Sequence, residues 1–113
     1  MKKNKFSKNW IIKQKRDLYV KKSKLEGYRS RAVYKLQEIN DKFKIIKNNI
    51  LVVDLGAAPG SWSQYISRNF KNSKIISIDL KDIEPIKNVT HIIGDFTDEN
   101  EKLKIQNYFR KKV

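Results

Sequence analysis

Beyond residue 49 the apolar positions form short continuous runs; before it they recur at helical spacing. "ILVVD" (50–54), "KIISID" (74–79) and "THIIGD" (90–95) are rich in β-branched residues, and each ends in an acid: Asp54, Asp79 and Asp95. Between the first two, "SWSQYISRNF" is long enough for one helix, with Trp62, Tyr65, Ile66 and Phe70 as its apolar side. Strand, turn, helix, strand is a βαβ unit, and continuously apolar strands predict a parallel sheet covered on both faces. "DENEKLKIQNYFR" reads as a second crossover helix, with acids in its first turn and Arg110 in its last. Such a helix leads to a fourth strand, yet the sequence stops at Val113. The expectation is an N-terminal portion of a longer α/β fold, with one sheet edge and much of one apolar face awaiting a cover.

In the first half, residues 1 to about 8 read as a disordered basic arm. A helix is expected over 10–25, because Ile11, Leu18 and Leu25 fall at i, i+7 and i+14; Gln14, Lys21 and Lys22 keep that stripe narrow. Gly27 breaks the pattern. Ser30 is then placed to cap a helix over "RAVYKLQEINDKF", whose Ala32, Leu36, Ile39 and Phe43 share one face. At about 100° per residue Lys35 lies roughly 70° from the centre of that face, at the boundary between core and solvent, where its stem can pack while its ammonium reaches out. The chain divides into a basic N-terminal arm with helices (1–44) and a truncated Rossmann-like domain (45–113).

Composition adds charge to this outline. The net charge is +14. Residues 1–50 carry 16 lysines and arginines against 4 acids, and residues 51–113 carry 10 against 8. The excess is interleaved with Trp10, Tyr19, Tyr28 and Tyr34, which suits phosphodiester contacts with base or ribose stacking. A solvated cationic face in a lysine-, asparagine- and isoleucine-rich chain is the plainer alternative, and composition leaves both open. With no cysteine, disulfides and thiolate metal sites are excluded. No run approaches the roughly 20 apolar residues of a membrane span, and a soluble cytoplasmic protein is expected.

Candidate chemistry lies in "DLGAAPGSWSQY" (54–65). Ligands of open α/β sheets bind beyond the carboxyl ends of the strands, where all three aspartates stand. A dinucleotide fingerprint fails, since Ala58 and Ser61 occupy its second and third glycine places; a phosphate-binding loop fails for want of Gly-Lys-Ser/Thr, and Asp54 repels phosphate. S-adenosyl-L-methionine, a nucleoside with an aminoacyl tail and a sulfonium, fits better. Gly56 and Gly60 allow close backbone approach, Asp54 favours the cationic end, and Asp79 accepts the ribose hydroxyls. Asp95 accepts from the adenine amino group, with Phe96 as a wall. No metal-ligand spacing occurs. His91, inside a strand, reads as structural, and Asp98, Glu99 and Glu101 as acids complementing a helix N-terminus.

Together with "GYRSRAVYKLQEI" (27–39), this turn resembles the RrmJ/FtsJ family, methyltransferases of the 2′-hydroxyl of a uridine ribose in large-subunit (23S) ribosomal RNA. The likeness runs from about Trp10 to Asp95 and beyond. It implies the first half of a Rossmann-like S-adenosylmethionine-dependent methyltransferase fold with a basic helical N-terminal extension, and ribosomal RNA of the large subunit as partner. By that resemblance Gly60, Trp62, Asp79 and Asp95 match cofactor-binding positions. Lys35 matches the first lysine of the family's Lys-Asp-Lys-Glu catalytic set, whose other members are expected after position 113. Ser61 stands where a second glycine is usual, which adds a Cβ beside the cofactor and predicts a slightly reshaped turn. Lys35 serves either as a neutral base or as an ammonium that orients the hydroxyl and stabilises developing charge. A noncatalytic RNA-binding remnant and a methyltransferase for another substrate, such as protein, are the rival expectations.

Overall fold

The computed structural model describes residues 3–112, with side chains described for 7–110. Helices α1 (Lys3–Glu26) and α2 (Val33–Phe43) precede β1 (Leu51–Leu55), α3 (Ser61–Asn69), β2 (Lys74–Asp79), β3 (Val89–Ile93) and α4 (Glu99–Lys112). The strands form one parallel sheet in the order β1-β2-β3. Its register aligns Asp54 with Ser77 and Ser77 with His91, while Asp79 faces Ile93. The expected βαβ unit and mixed α/β class are present.

β2 explains why its run is apolar throughout. Ile75, Ile76, Ser77 and Ile78 are all buried, because β2 is the central strand with neighbours on both sides. On one face α3 contributes Tyr65 and Ile66, which pack with Ile75 and with Val33, Tyr34 and Leu36 of α2. Burying each of these large apolar side chains contributes about 1.5–3 kcal/mol. The other face is less complete at β1, where Leu51, Val53 and Leu55 are 42%, 42% and 52% exposed.

The helices differ from expectation in which side they bury. α1 begins at Lys3, so the part of the expected disordered arm that falls within the described residues is helical; no glycine or proline interrupts the chain before Gly27. Ile11, Leu18 and Leu25 face solvent. The inward side is instead Tyr19, Val20, Ser23 and Glu26: Tyr19 stacks on Tyr34 with ring centroids 5.3 Å apart, and the Tyr34 hydroxyl donates to Glu26 Oε1 at 2.7 Å. An aromatic stack and a charge-assisted bond thus override three spaced aliphatics. Burial, then Glu26, raises the Tyr34 pKa. α1 ends in a Schellman turn, with Tyr28 N–H to the Ser23 carbonyl at 2.8 Å and Gly27 N–H to that of Lys24 at 3.3 Å. Arg68 of α3 donates to the carbonyls of Glu26 and Gly27, both at 2.9 Å, so the end of α1 is pinned to the domain.

On α2 the buried set is Val33, Tyr34, Leu36 and Asn40; Ala32 and Phe43 of the expected face are exposed. Asn40 is buried because its Oδ1 accepts the Ile46 N–H at 2.7 Å. α2 starts at Val33, so its cap position falls on Ala32, whose backbone is already helical; Ser30 closes the turn just before it, its hydroxyl accepting the Ala32 N–H at 3.3 Å and bonding the Ser61 hydroxyl at 2.9 Å. At α4, Asp98 accepts the N–H groups of Asn100 and Glu101 at 2.9 and 3.2 Å, a true N-cap. Glu101 turns back to accept the Asp95 N–H.

Candidate cofactor site

The turn between β1 and α3 is built by main-chain bonds to β2. Gly56 and Ala57 donate to the Ile78 carbonyl at 2.8 and 3.2 Å. Gly56 holds φ +66°, with open space where a Cβ would stand. Gly60 is at φ +111°, and a Cβ there would lie 2.8 Å from Ile86 Cδ1 and 3.3 Å from Arg29 Nη1. The first requirement is conformational; the second is conformational and steric.

Asp54, the penultimate residue of β1, is half-buried, and Ser63 Oγ donates to its Oδ2 at 2.7 Å. Burial raises its pKa; the Ser63 bonds oppose that, and the charge of Asp79 reinforces it. Asp54 lines a cavity of about 240 Å³ with Ser30, Ala32, the turn from Leu55 to Pro59, Ser61 and Trp62. Asp79 is joined to the same turn: Ala58 N–H donates to its Oδ2 and Lys81 N–H to its Oδ1, both at 2.9 Å. These two bonds lower its pKa. Asp95 follows β3, and its Oδ1 accepts the N–H and hydroxyl of Thr97, which lower its pKa. The structure therefore joins Asp54 and Asp79 through the turn, and places Asp95 one strand farther out with its carboxylate turned onto Thr97.

Trp62 was expected on the apolar side of its helix. It stands at the rim instead, 37% exposed, because its indole N–H donates to the Ala32 carbonyl at 2.8 Å across the gap to α2. The buried side of α3 carries Ser61, Ser63 and Gln64 beside Tyr65 and Ile66, with Phe70 half-buried. Ser61 sits in the first turn of α3 without unusual backbone, its added hydroxyl taken up by Ser30. Lys35 is exposed, one turn along α2 from Ala32 at the cavity wall. His91 bridges Ser77 Oγ at 2.7 Å and the Lys81 carbonyl at 2.9 Å. Since a carbonyl only accepts, Nε2 carries the proton in the neutral ring and Nδ1 accepts from Ser77.

Sequence reasoning missed Arg29, Ser30 in this role, Ser63 and Gln64. Arg29 donates through Nη1 to the carbonyls of Pro59 (2.9 Å) and Glu84 (2.6 Å), and through Nη2 to that of Pro85 (3.1 Å). Its own N–H donates to Gln64 Oε1 at 2.9 Å. The spacing Arg29-x-x-x-x-x-Lys35 before an amphipathic helix was visible, but main-chain acceptors leave no residue-type signal.

A parallel α/β sheet with a glycine turn and acids at the carboxyl ends of its strands defines a mixed α/β, Rossmann-like class of domain. Residues 28–113 match the model of the FtsJ-like methyltransferase family, and the chain belongs to that family. Across its whole length it is 60% identical to "Ribosomal RNA large subunit methyltransferase E" of Pelagibacter ubique (strain HTCC1062), covering 56% of that protein. A protein of the same name from Rickettsia felis (strain ATCC VR-1525 / URRWXCal2) is 54% identical over 107 residues, 88% of this chain and 47% of that one. The chain thus spans about half the length of these relatives. A crystal structure described as that of a ribosomal RNA methyltransferase from Plasmodium falciparum superposes with TM-score 0.59 at 46% identity, covering 65% of this chain and 41% of the other.

Proposed function

We propose that this chain is the cofactor-binding part of an S-adenosylmethionine-dependent methyltransferase of the 2′-hydroxyl of a uridine ribose in large-subunit ribosomal RNA. The observation that carries the reading is the turn itself: Asp54 beneath it, Asp79 tied to it through Ala58, and Gly56 leaving open space at the cavity where a Cβ would stand. Each Asp79 oxygen takes one main-chain N–H and keeps further acceptor capacity for ribose hydroxyls. Asp54, half-buried and with no cation described against it, is suited to a sulfonium, and the first N–H groups of α3 to the aminoacyl carboxylate. Asp95 and the part-exposed Phe96 remain for adenine.

When bound, the cofactor supplies a methyl group activated by positively charged sulfur. The chain's own work is to hold that group against the turn and to present α2 beside it. Lys35, exposed one turn on from the cavity-lining Ala32, is the residue assigned to orient a ribose hydroxyl or accept its proton. α1 supplies the electrostatics for RNA: Lys8, Lys13, Lys15, Arg16 and Lys21 are exposed beside Trp10 and Tyr19. No helix among the described residues is long and apolar enough to cross a membrane.

Calorimetric titration with S-adenosylmethionine, followed by transfer of labelled methyl to large-subunit ribosomal RNA, tests the proposal. Saturable binding is expected of this chain, and a full-length version is expected to leave label in an alkali-resistant dinucleotide, with Lys35→Ala abolishing its turnover and sparing cofactor affinity. Absence of binding overturns the cofactor reading. The exposed cationic α1 favours one alternative, a noncatalytic RNA-binding remnant, whose signature is salt-sensitive RNA affinity without methyl transfer. Label in ribosomal protein instead points to a protein substrate.

A further inference from the structure

Arg29 closes a ring of contacts that the cofactor reading does not by itself require. From Ala58, an N–H runs to Asp79; Asp79 also takes the Lys81 N–H; the chain continues through Glu84 and Pro85; and the Arg29 guanidinium returns from those carbonyls to Pro59. The ring borders a cavity of about 690 Å³, bounded by Arg29, Pro59, Lys81, Asp82 and Glu84. Both Nη1 hydrogens are engaged, since Pro59 and Glu84 each take one. Gly60 belongs to the same device: its missing Cβ is what lets Nη1 and Ile86 close over the turn. The flanking residues repeat the attachment, with Ser30 bonded to Ser61 and the Ala32 carbonyl to the Trp62 indole.

We infer that Arg29 is a positioning residue: its guanidinium fixes the turn and the 81–86 loop relative to each other, and so holds the wall on which Asp79 presents its carboxylate. This rests on the reading of the turn as the S-adenosylmethionine site. The fork geometry is essential. A planar guanidinium reaches three carbonyls from two nitrogens, whereas a lysine ammonium is a point donor that cannot span them. Arg29 is in this respect unlike the solvent-exposed cations of α1, whose charge is available to phosphate.

The test compares wild type with Arg29→Lys and Arg29→Gln by calorimetric titration with S-adenosylmethionine, by hydrogen exchange over 56–60 and 81–86, and by RNA affinity as a function of salt. Both variants are expected to weaken cofactor binding by about tenfold or more, the scale of a lost charge-assisted bond. Exchange should accelerate in those two segments, while β2 amides and the thermal midpoint of Arg29→Lys stay close to wild type. The salt slope of RNA binding should be unchanged in Arg29→Lys. Wild-type affinity and protection in both variants would overturn the inference. So would exchange accelerated uniformly across the sheet, which marks a general structural post, or a flattened salt slope in Arg29→Lys. If wild type itself binds no S-adenosylmethionine, the proposed function fails, while exchange confined to the two segments still sustains the clamp.

Discussion

Gly56 and Gly60 are both glycines of one turn, yet the structure asks different things of them. Gly56→Ala meets only the left-handed backbone penalty, about 1–2 kcal/mol, because nothing stands where its Cβ would go. Gly60→Ala adds a 2.8 Å approach to Ile86 and should cost more in urea denaturation and also lower cofactor affinity. Equal costs at the two positions would contradict the steric account. The aspartates separate by sign. Asp79, with its pKa lowered by two N–H groups, adds stability that is complete above the ordinary aspartate range and is lost as pH falls through its folded value. Asp54, raised mainly by burial, does the reverse: its contribution is present in acid and lost as pH rises through its folded value. Asp79→Asn and Asp54→Asn are therefore expected to change the slope of stability against pH in opposite directions, as read by denaturation midpoints across an acid series.

Among the elements, β2 and the carboxyl ends of the strands were legible because their signals are local. An unbroken apolar run means burial on both faces, and Ile75→Ala should cost about 2–5 kcal/mol, against a much smaller loss for Leu51→Ala on the open side of β1. The turn was legible too, because glycine and proline spacing encodes backbone shape. The helix faces were not. α1 buries Ser23 and stacks the part-exposed Tyr19 on Tyr34 while Ile11 and Leu18 stay exposed, and α2 buries Asn40 rather than Phe43, since an aromatic stack and side-chain bonds to Glu26 and Ile46 N–H outweigh aliphatic spacing. Trp62 moved to the rim for the same reason, its indole claimed by a carbonyl. Contacts whose partner is main chain carry no signature in residue type. Arg29 is the extreme case, with three such partners.

At the scale of the molecule, two surfaces stand out. The long basic α1 extends a structure whose longest dimension is 60 Å. RNA affinity is expected to fall linearly with the logarithm of salt, and charge reversal at Lys13, Lys15 and Lys21 should reduce that slope. The other surface is the open face of β1, where Leu51, Val53 and Leu55 present apolar area along a strand that pairs only with β2 among the described residues. Sedimentation velocity should show concentration-dependent association that Val53→Lys suppresses; an ideal monomer at every loading would refute this.

The sequence holds two tryptophans, and the fold sends them to opposite places. Trp10 lies open on the basic rod at 62% exposure, while Trp62 is tethered at the cavity mouth. The molecule thereby carries its own pair of optical probes. Iodide quenching of Trp10→Phe, which leaves Trp62 alone to emit, reports on the cavity beside the turn, and Trp62→Phe emission follows the surface of α1.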